Sequence, residues 1–270
     1  MTVKILSAAG FDGSGGAGIT SDVKIFSKYK ILGLSAVTAM TAQNPDKVYA
    51  VEPVSEAFFE LQLKAVFDYF SVDAVKIGLV YNESQSSILS GFLKKYGTKI
   101  VVADPVYIST SSADLTGGKY PDFLMPLLKR ATVVTPNIME AELISGMEIK
   151  DINEMKAAAR AIMEKNPGIG NIVIKGSHLI EKSRKDKILN MALNSRGDFF
   201  VYESKRIKLD KEVHGTGCMF SSCLVSRLAL GETLEEALVS SEKFVAEAIK
   251  RFKKIPDNRR DKNIYIAANI

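Results

Sequence analysis

The chain has 270 residues, 46% hydrophobic and 25% charged, which supplies a large core and excludes a disordered or collagen-like protein. No apolar run approaches the roughly 20 residues of a membrane helix, and Met1 to Ile19 holds Asp12 and a glycine cluster where a signal peptide would be apolar. A cytoplasmic protein without membrane partners is therefore expected. The net charge of +5 is carried by Lys250 to Lys262, with seven basic and two acidic residues, so no basic stripe across the fold is visible and nucleic acid is not an expected partner.

In chain order, apolar β-branched runs alternate with amphipathic stretches. Val3–Ala8 reads as a buried strand, followed by the glycine-rich Ala9–Gly18 and a helix from about Ile19. Leu34–Met40 is a second strand. After Ser55 a helix follows, with Phe58, Phe59, Leu61, Val66, Phe67 and Phe70 on one broad face. Ala74–Ile77, Ile100–Ala103, Thr132–Thr135 and Ile172–Ile174 are further strands. Asp151 with Glu154 and Thr233 with Glu236 have capping-box spacing before helices. From Lys187 to Leu209, short alternating pieces flank the turn-like Asn194–Asp198 and predict a small antiparallel edge hairpin. The order predicts an α/β fold: a mainly parallel central sheet, helices on both faces, and ligands bound beyond the carboxyl ends of the strands. Residues 1–253 read as one domain and 254–270 as a basic C-terminal tail of no assigned role.

Two glycine-rich helix starts carry the chemistry. Gly13, Gly15 and Gly18 fit G-x-G-x-x-G, but the second strand ends on Thr41-Ala42-Gln43-Asn44 and lacks the acidic residue a dinucleotide ribose needs. Downstream, His214-Gly215-Thr216-Gly217-Cys218 opens an apolar helix whose unobstructed N–H groups and dipole make an anion hole. A tight turn and a ligand-free helix cap are the plainer readings of these two segments. No P-loop sequence is present. Cys218 and Cys223, about 140° apart around a helix, form neither a disulfide framework nor a zinc site.

The glycine turn Ala9–Ile19, Thr41–Asn44, Asp104-Pro105-Val106, Thr135-Pro136-Asn137 with Glu140, Lys175-Gly176-Ser177-His178 and His214–Cys218 together resemble the ribokinase-like superfamily. Within it they are most similar to the hydroxymethylpyrimidine and phosphomethylpyrimidine kinases of thiamine biosynthesis. Phe11, Gly13, Ser177 and Tyr107–Thr110 depart from the usual wording of those motifs. The resemblance implies ATP and Mg²⁺, a small pyrimidine substrate and a homodimer. It implies Cys218 as base for the substrate hydroxyl, its thiol lowered below the free value of about 8.5 by the helix N-terminus. Gly215, Thr216 and Gly217 would donate to the transferring phosphoryl, and Lys175 with Thr216 would bind ATP. Asp104, Asn137 and Glu140 would hold Mg²⁺, although each also fits a helix-cap or surface residue. Gln43 would pair with the aminopyrimidine edge, with Asp22 and Gly10 as further substrate contacts. His178 and His214 read as structural. A pyridoxal kinase and a non-catalytic sensor of a thiamine precursor are the rival readings.

Overall fold

The computed structural model describes residues 2–44, 47–107, 116, 120–177, 179, 186–207 and 213–251, and the backbone of 255–257 and 262–264. Its centre is a nine-stranded sheet. Strands β1 (Lys4–Asp12), β2 (Leu32–Asn44), β3 (Lys47–Pro53), β4 (Ala74–Ile77), β5 (Ile100–Ala103), β6 (Val133–Val134), β7 (Asn171–Ile174), β8 (Lys187–Leu193) and β9 (Phe199–Lys205) lie in the order β3-β2-β1-β4-β5-β6-β7-β8-β9. β2 through β7 pair in parallel via β1, β4, β5 and β6; β3 and the β8–β9 hairpin pair antiparallel at the two edges.

The helices are α1 (Gly18–Lys28), α2 (Glu56–Phe67), α3 (Glu83–Tyr96), α4 (Met125–Leu128), α5 (Ile138–Ser145), α6 (Ile152–Lys165), α7 (Thr216–Ala229) and α8 (Leu234–Arg251). Period-2 strands bury both faces of the sheet, so two cores form. One packs α2 to α6 through Phe59, Leu63, Leu89, Leu127, Ala141 and Met155. The other packs α1, α7 and α8 through Ile25, Phe26, Met219, Leu224, Ala237 and Leu238. Phe26 and Phe59 are wholly buried, and truncating either to alanine would cost about 3–5 kcal/mol.

The predicted elements are found, with differences. β1 runs on to Asp12, through residues expected to be loop, because Phe11 and Asp12 still pair with Met40 and Thr41 of β2 after a register shift at Ala9/Phe11. β3 was not anticipated, since its Lys47-Val48-Tyr49-Ala50 run is half exposed and carries no core signal. On α2 the buried residues are Phe59, Leu63 and Phe67, while Phe58 and Leu61 point outward, 59% and 58% exposed. The caps are as spaced: Asp151 accepts from Glu154 N, and Thr233 and Glu236 exchange bonds. Among the described residues no helix is long and apolar enough to cross a membrane. The expected tail contains a separate two-stranded ribbon, β10 (Ile255–Asp257) against β11 (Lys262–Ile264).

Because β1 sits between β2 and β4, the chain leaves β1 in one direction and returns on its other side. That is a topological switch point, and the crevice beyond its carboxyl ends is where open α/β sheets take ligands. The glycine turn after β1 lies there.

Candidate active site

Asp12 organises the turn that ends β1. Its carboxylate is 2% exposed and accepts from Ser14 N at 2.8 Å, Ser14 Oγ at 2.9 Å and Ala17 N at 2.9 Å. Gln43 also favours its charged form. Across the site, His214 Nε2 stands 2.9 Å from Asp12 Oδ2. Burial alone would raise this acid, but His214, Gln43 and Ser14 outweigh it and hold Asp12 well below the usual carboxylate range. His214 thus ties the first glycine turn to the second. The backbones meet there too: Gly215 has φ 87°, and a Cβ on it would overlap the Gly16 carbonyl. Gly10, within β1, is equally crowded, since its carbonyl lies where a Cβ on Gly18 would stand.

Gly215 is the N-cap of α7 and no side chain caps that terminus, so no capping side chain takes the first N–H groups of the helix. Lys175 follows β7 and points at the same place: a Cβ on Gly217 would lie 3.5 Å from its Nζ. That Nζ pairs with Asp104 Oδ1 at 2.6 Å, and Asp104 also accepts from Thr135 Oγ1 and Ser221 Oγ, both at 3.1 Å. Asn137 and Glu140 form a full capping box at the start of α5, Asn137 Oδ1 taking Glu140 N and Glu140 Oε2 taking Asn137 N. Their helix-cap reading is therefore realised in the structure. Burial pushes Glu140 up to about 7, with Asp104 adding to the rise and Lys175 opposing it. An open groove of about 910 Å³ between β9 and α8, lined by Tyr202, Lys205 and Glu242, includes none of these residues.

Two expectations are corrected. Asp22 has no surface open to a substrate: it is 0% exposed, with Ser7 Oγ and Ser222 Oγ each at 2.6 Å and Lys76 Nζ at 3.0 Å. A carboxylate so enclosed serves the packing of α1 against β1, β4 and α7. Cys218, on α7 one turn before Ser222, is expected to be acidified by the helix terminus; instead its thiol is raised. Desolvation is the largest cause, Asp22 and Asp104 add to it, and Lys76 and the Gly18 N–H oppose it without prevailing. Cys223 is buried in the second core, with Tyr29 Oη 3.7 Å from its sulfur.

The family of this fold and site is settled by comparison with known proteins. The family model described as phosphomethylpyrimidine kinase matches residues 12–261. The chain belongs to that family. It is 34% identical over 251 residues to the hydroxymethylpyrimidine/phosphomethylpyrimidine kinase of Aquifex aeolicus, covering 93% of this chain and 95% of that one. The phosphomethylpyrimidine kinase structure from Clostridium difficile superposes with a TM-score of 0.76 at 35% identity, over 92% of this chain and all of the other (100%). The pyridoxal kinase of Staphylococcus aureus in complex with AMP-PCP and pyridoxal has a TM-score of 0.83 at 29% identity, over 98% of each chain. The fold is therefore common to pyrimidine and pyridoxal kinases, and the family match extends to residue 261, into the segment expected to be a tail of no assigned role.

Sequence reasoning missed Asp12 as a hub, Lys76, Ser221 and Ser222, and the support beneath Lys175. There Gly176 N donates to Asn190 Oδ1 at 2.8 Å, and Asn190 Nδ2 donates to Glu242 on α8. Lys76 had a signal, a lone charge within the apolar run Ala74–Ile77; such a charge is buried only when paired. His178 and Ile108–Thr110 lie outside the described residues.

Proposed function

We propose that this chain transfers the γ-phosphoryl group of ATP to the hydroxymethyl oxygen of 4-amino-5-hydroxymethyl-2-methylpyrimidine, to a phosphate oxygen of its monophosphate, or to both. The observation that carries the reading is the joining of the first glycine turn and the uncapped start of α7 through Asp12 and His214, with the Lys175 ammonium beside Gly217. Gln43 and the backbone at Gly10 orient the ring in the crevice. The N–H groups of Gly215, Thr216 and Gly217 and the Lys175 ammonium face the transferring phosphoryl, where preorganised donors contribute several kcal/mol.

As the substrate oxygen bonds to phosphorus, the bond to the ADP oxygen breaks and the hydroxyl proton leaves toward Cys218. Only its thiolate can accept it, and burial makes that the minor form at neutral pH. The larger share of catalysis therefore falls on the anion hole and Lys175. Among the described residues no group of three or more His, Cys, Asp or Glu could cage a metal. Magnesium does not need a protein cage: one or two carboxylates plus phosphates suffice. Asp104 and Glu140, two buried acids beside one lysine, would supply those carboxylates, Glu140 giving up its proton to the ion, with Asn137 holding Glu140 in place. When bound, Mg²⁺ would neutralise phosphate charge.

A cytoplasmic homodimer is proposed on the family resemblance. The test is ADP release coupled to NADH oxidation, with hydroxymethylpyrimidine, its monophosphate, pyridoxal or no acceptor. Turnover dependent on either pyrimidine is the expected result; turnover with pyridoxal alone, or equal rates without acceptor, would overturn the reading.

A further inference from the structure

We infer that Glu242 of α8, acting through Asn190 of β8, holds the Gly176 amide and so aims the Lys175 ammonium at the phosphates of ATP. The inference rests on the phosphate role of Lys175 and adds to it the part of the fold that positions this side chain.

The β7–β8 ladder stops at Ile174 opposite Met191, so the backbone that follows needs other partners. Lys175 N donates to Pro136 O at 2.8 Å. Gly176 is buried, and its N–H goes to a side chain, Asn190 Oδ1, at 2.8 Å. A Cβ on Gly176 would stand 1.8 Å from Leu189 O, so the chain passes hard against β8 and cannot shift toward it. Lys175 is thus pinned by Pro136 on one side and, one residue on, by Asn190 on the other. From that backbone its Nζ reaches Asp104 Oδ1 at 2.6 Å and lies 3.5 Å from where a Cβ on Gly217 would be.

With Oδ1 committed to Gly176, the Nδ2 end of Asn190 must meet an acceptor. Asn190 shares a face of β8 with Ala192, two residues on, which packs in the core under α7 and α8. There Nδ2 donates to Glu242 Oε1, and Ser204 Oγ of β9 donates to Oε2 at 3.4 Å. Glu242 stands one turn after Leu238 and three residues before Val245, on the stripe that α8 buries. An apolar pair would pack in such a place without needing partners, whereas an amide and a carboxylate are tolerated only when both are bonded. What this pair provides is a rigid link from α8 to the amide beside Lys175. Asn190 and Glu242 are positioning residues.

The test uses the full-length enzyme, with calorimetric binding of AMP-PCP and steady-state kinetics with ATP and hydroxymethylpyrimidine. Asn190→Asp keeps the acceptor for Gly176 but sets two carboxylates against each other. It should weaken AMP-PCP binding and raise the KM for ATP by at least about tenfold, the scale of one mispaired buried group, with the KM for the pyrimidine within about twofold. Adding Glu242→Gln restores a donor–acceptor pair with its direction reversed and should bring the affinity and the KM for ATP back to within about threefold of the wild type. A merely structural role would lower kcat through the folded fraction and leave both KM values unchanged.

A folded Asn190→Asp enzyme with wild-type affinity for AMP-PCP would overturn the inference, as would a folded double variant that binds no more tightly than the single one. Lys175→Ala tests the reading underneath: wild-type affinity there would refute the phosphate role of Lys175 and the inference with it. A wild type that binds AMP-PCP yet phosphorylates no pyrimidine would refute the substrate reading alone, and the calorimetry still decides the inference. If Asn190→Asp does not fold, Glu242→Ala decides, since it removes the acceptor at the half-buried end of the pair. Binding at least about threefold weaker supports the inference, and wild-type binding overturns it.

Discussion

Replacing Lys76 by methionine keeps most of the volume of a side chain that is 0% exposed and removes its charge. Asp22, also 0% exposed, then loses its ion-pair partner, recorded at 3.0 Å, and keeps two serine hydroxyls at 2.6 Å. Breaking one side of a buried pair costs about 3–5 kcal/mol, because a charge remains in a poorly solvating place. The two short bonds to hydroxyls place the effect at the lower end, about 3 kcal/mol. For a domain of this size each kcal/mol moves the melting temperature by about 2–4 °C, so a fall of about 6–12 °C is expected. Scanning calorimetry and urea unfolding would measure it. Lys76→Met combined with Asp22→Leu removes the orphaned charge as well and should recover at least half of the loss, since replacing both partners of a buried pair is often near neutral. A single-variant shift below about 2 °C, or a double variant no more stable than the single one, would refute the argument. The same substitution also removes the cation that opposes the rise of the Cys218 thiol, so alkylation at pH 8 should slow.

Alkylation of the wild-type Cys218 should show a midpoint above the ordinary thiol value of about 8.5; a midpoint below it would mean that desolvation does not dominate the site. Cys218→Ala should lower kcat by roughly 10²-fold or more if the thiolate takes the proton, and a smaller loss in stopped-time assays would leave it as a substrate contact. Lys175→Ala should raise the KM for ATP and spare that for the pyrimidine, whereas unchanged ATP kinetics would remove Lys175 from the site. For Asp12 the folded pKa is depressed, so its stabilisation is complete above the unfolded value of about 3.9 and fades as pH falls below it. The stability gap between wild type and Asp12→Asn should close as pH falls below about 3.9, and a gap that widens there would contradict the assignment. Glu140→Ala should shift the Mg²⁺ requirement upward, which titration of activity with the metal would show; full activity in excess chelator would exclude the metal altogether.

The strands were legible because buried parallel strands write continuous β-branched runs, and β4, β5 and β7 begin and end within a residue of the runs that announced them. Helix starts were legible through caps such as Asp151 and Thr233, which are local chemistry. What escaped was non-local. Asp12 reads as one polar residue in a glycine turn until His214 is brought to it, and no periodicity encodes that meeting. Asp22 failed for the related reason that a first-turn acid looks solvent-bound unless a lysine is known to wait beneath it on β4. The direction of the Cys218 shift depends on a competition among burial, two carboxylates and one cation, and helix position alone reports only one contributor.

The contact between Gly16 and Gly215, sealed by Asp12 and His214 across 202 positions of chain, also sets when the enzyme comes into being. During synthesis β1 and its glycine turn leave the ribosome first, and the strands to either side can pair with β1 long before α7 exists. The turn then waits for the final quarter of the protein. A chain released before residue 214 would own most of the sheet yet have no closed crevice, and a fold so dependent on joining distant segments pays its loop-closure entropy late. Nascent polypeptides of this sequence would thus acquire shape well ahead of any capacity to hold a phosphate.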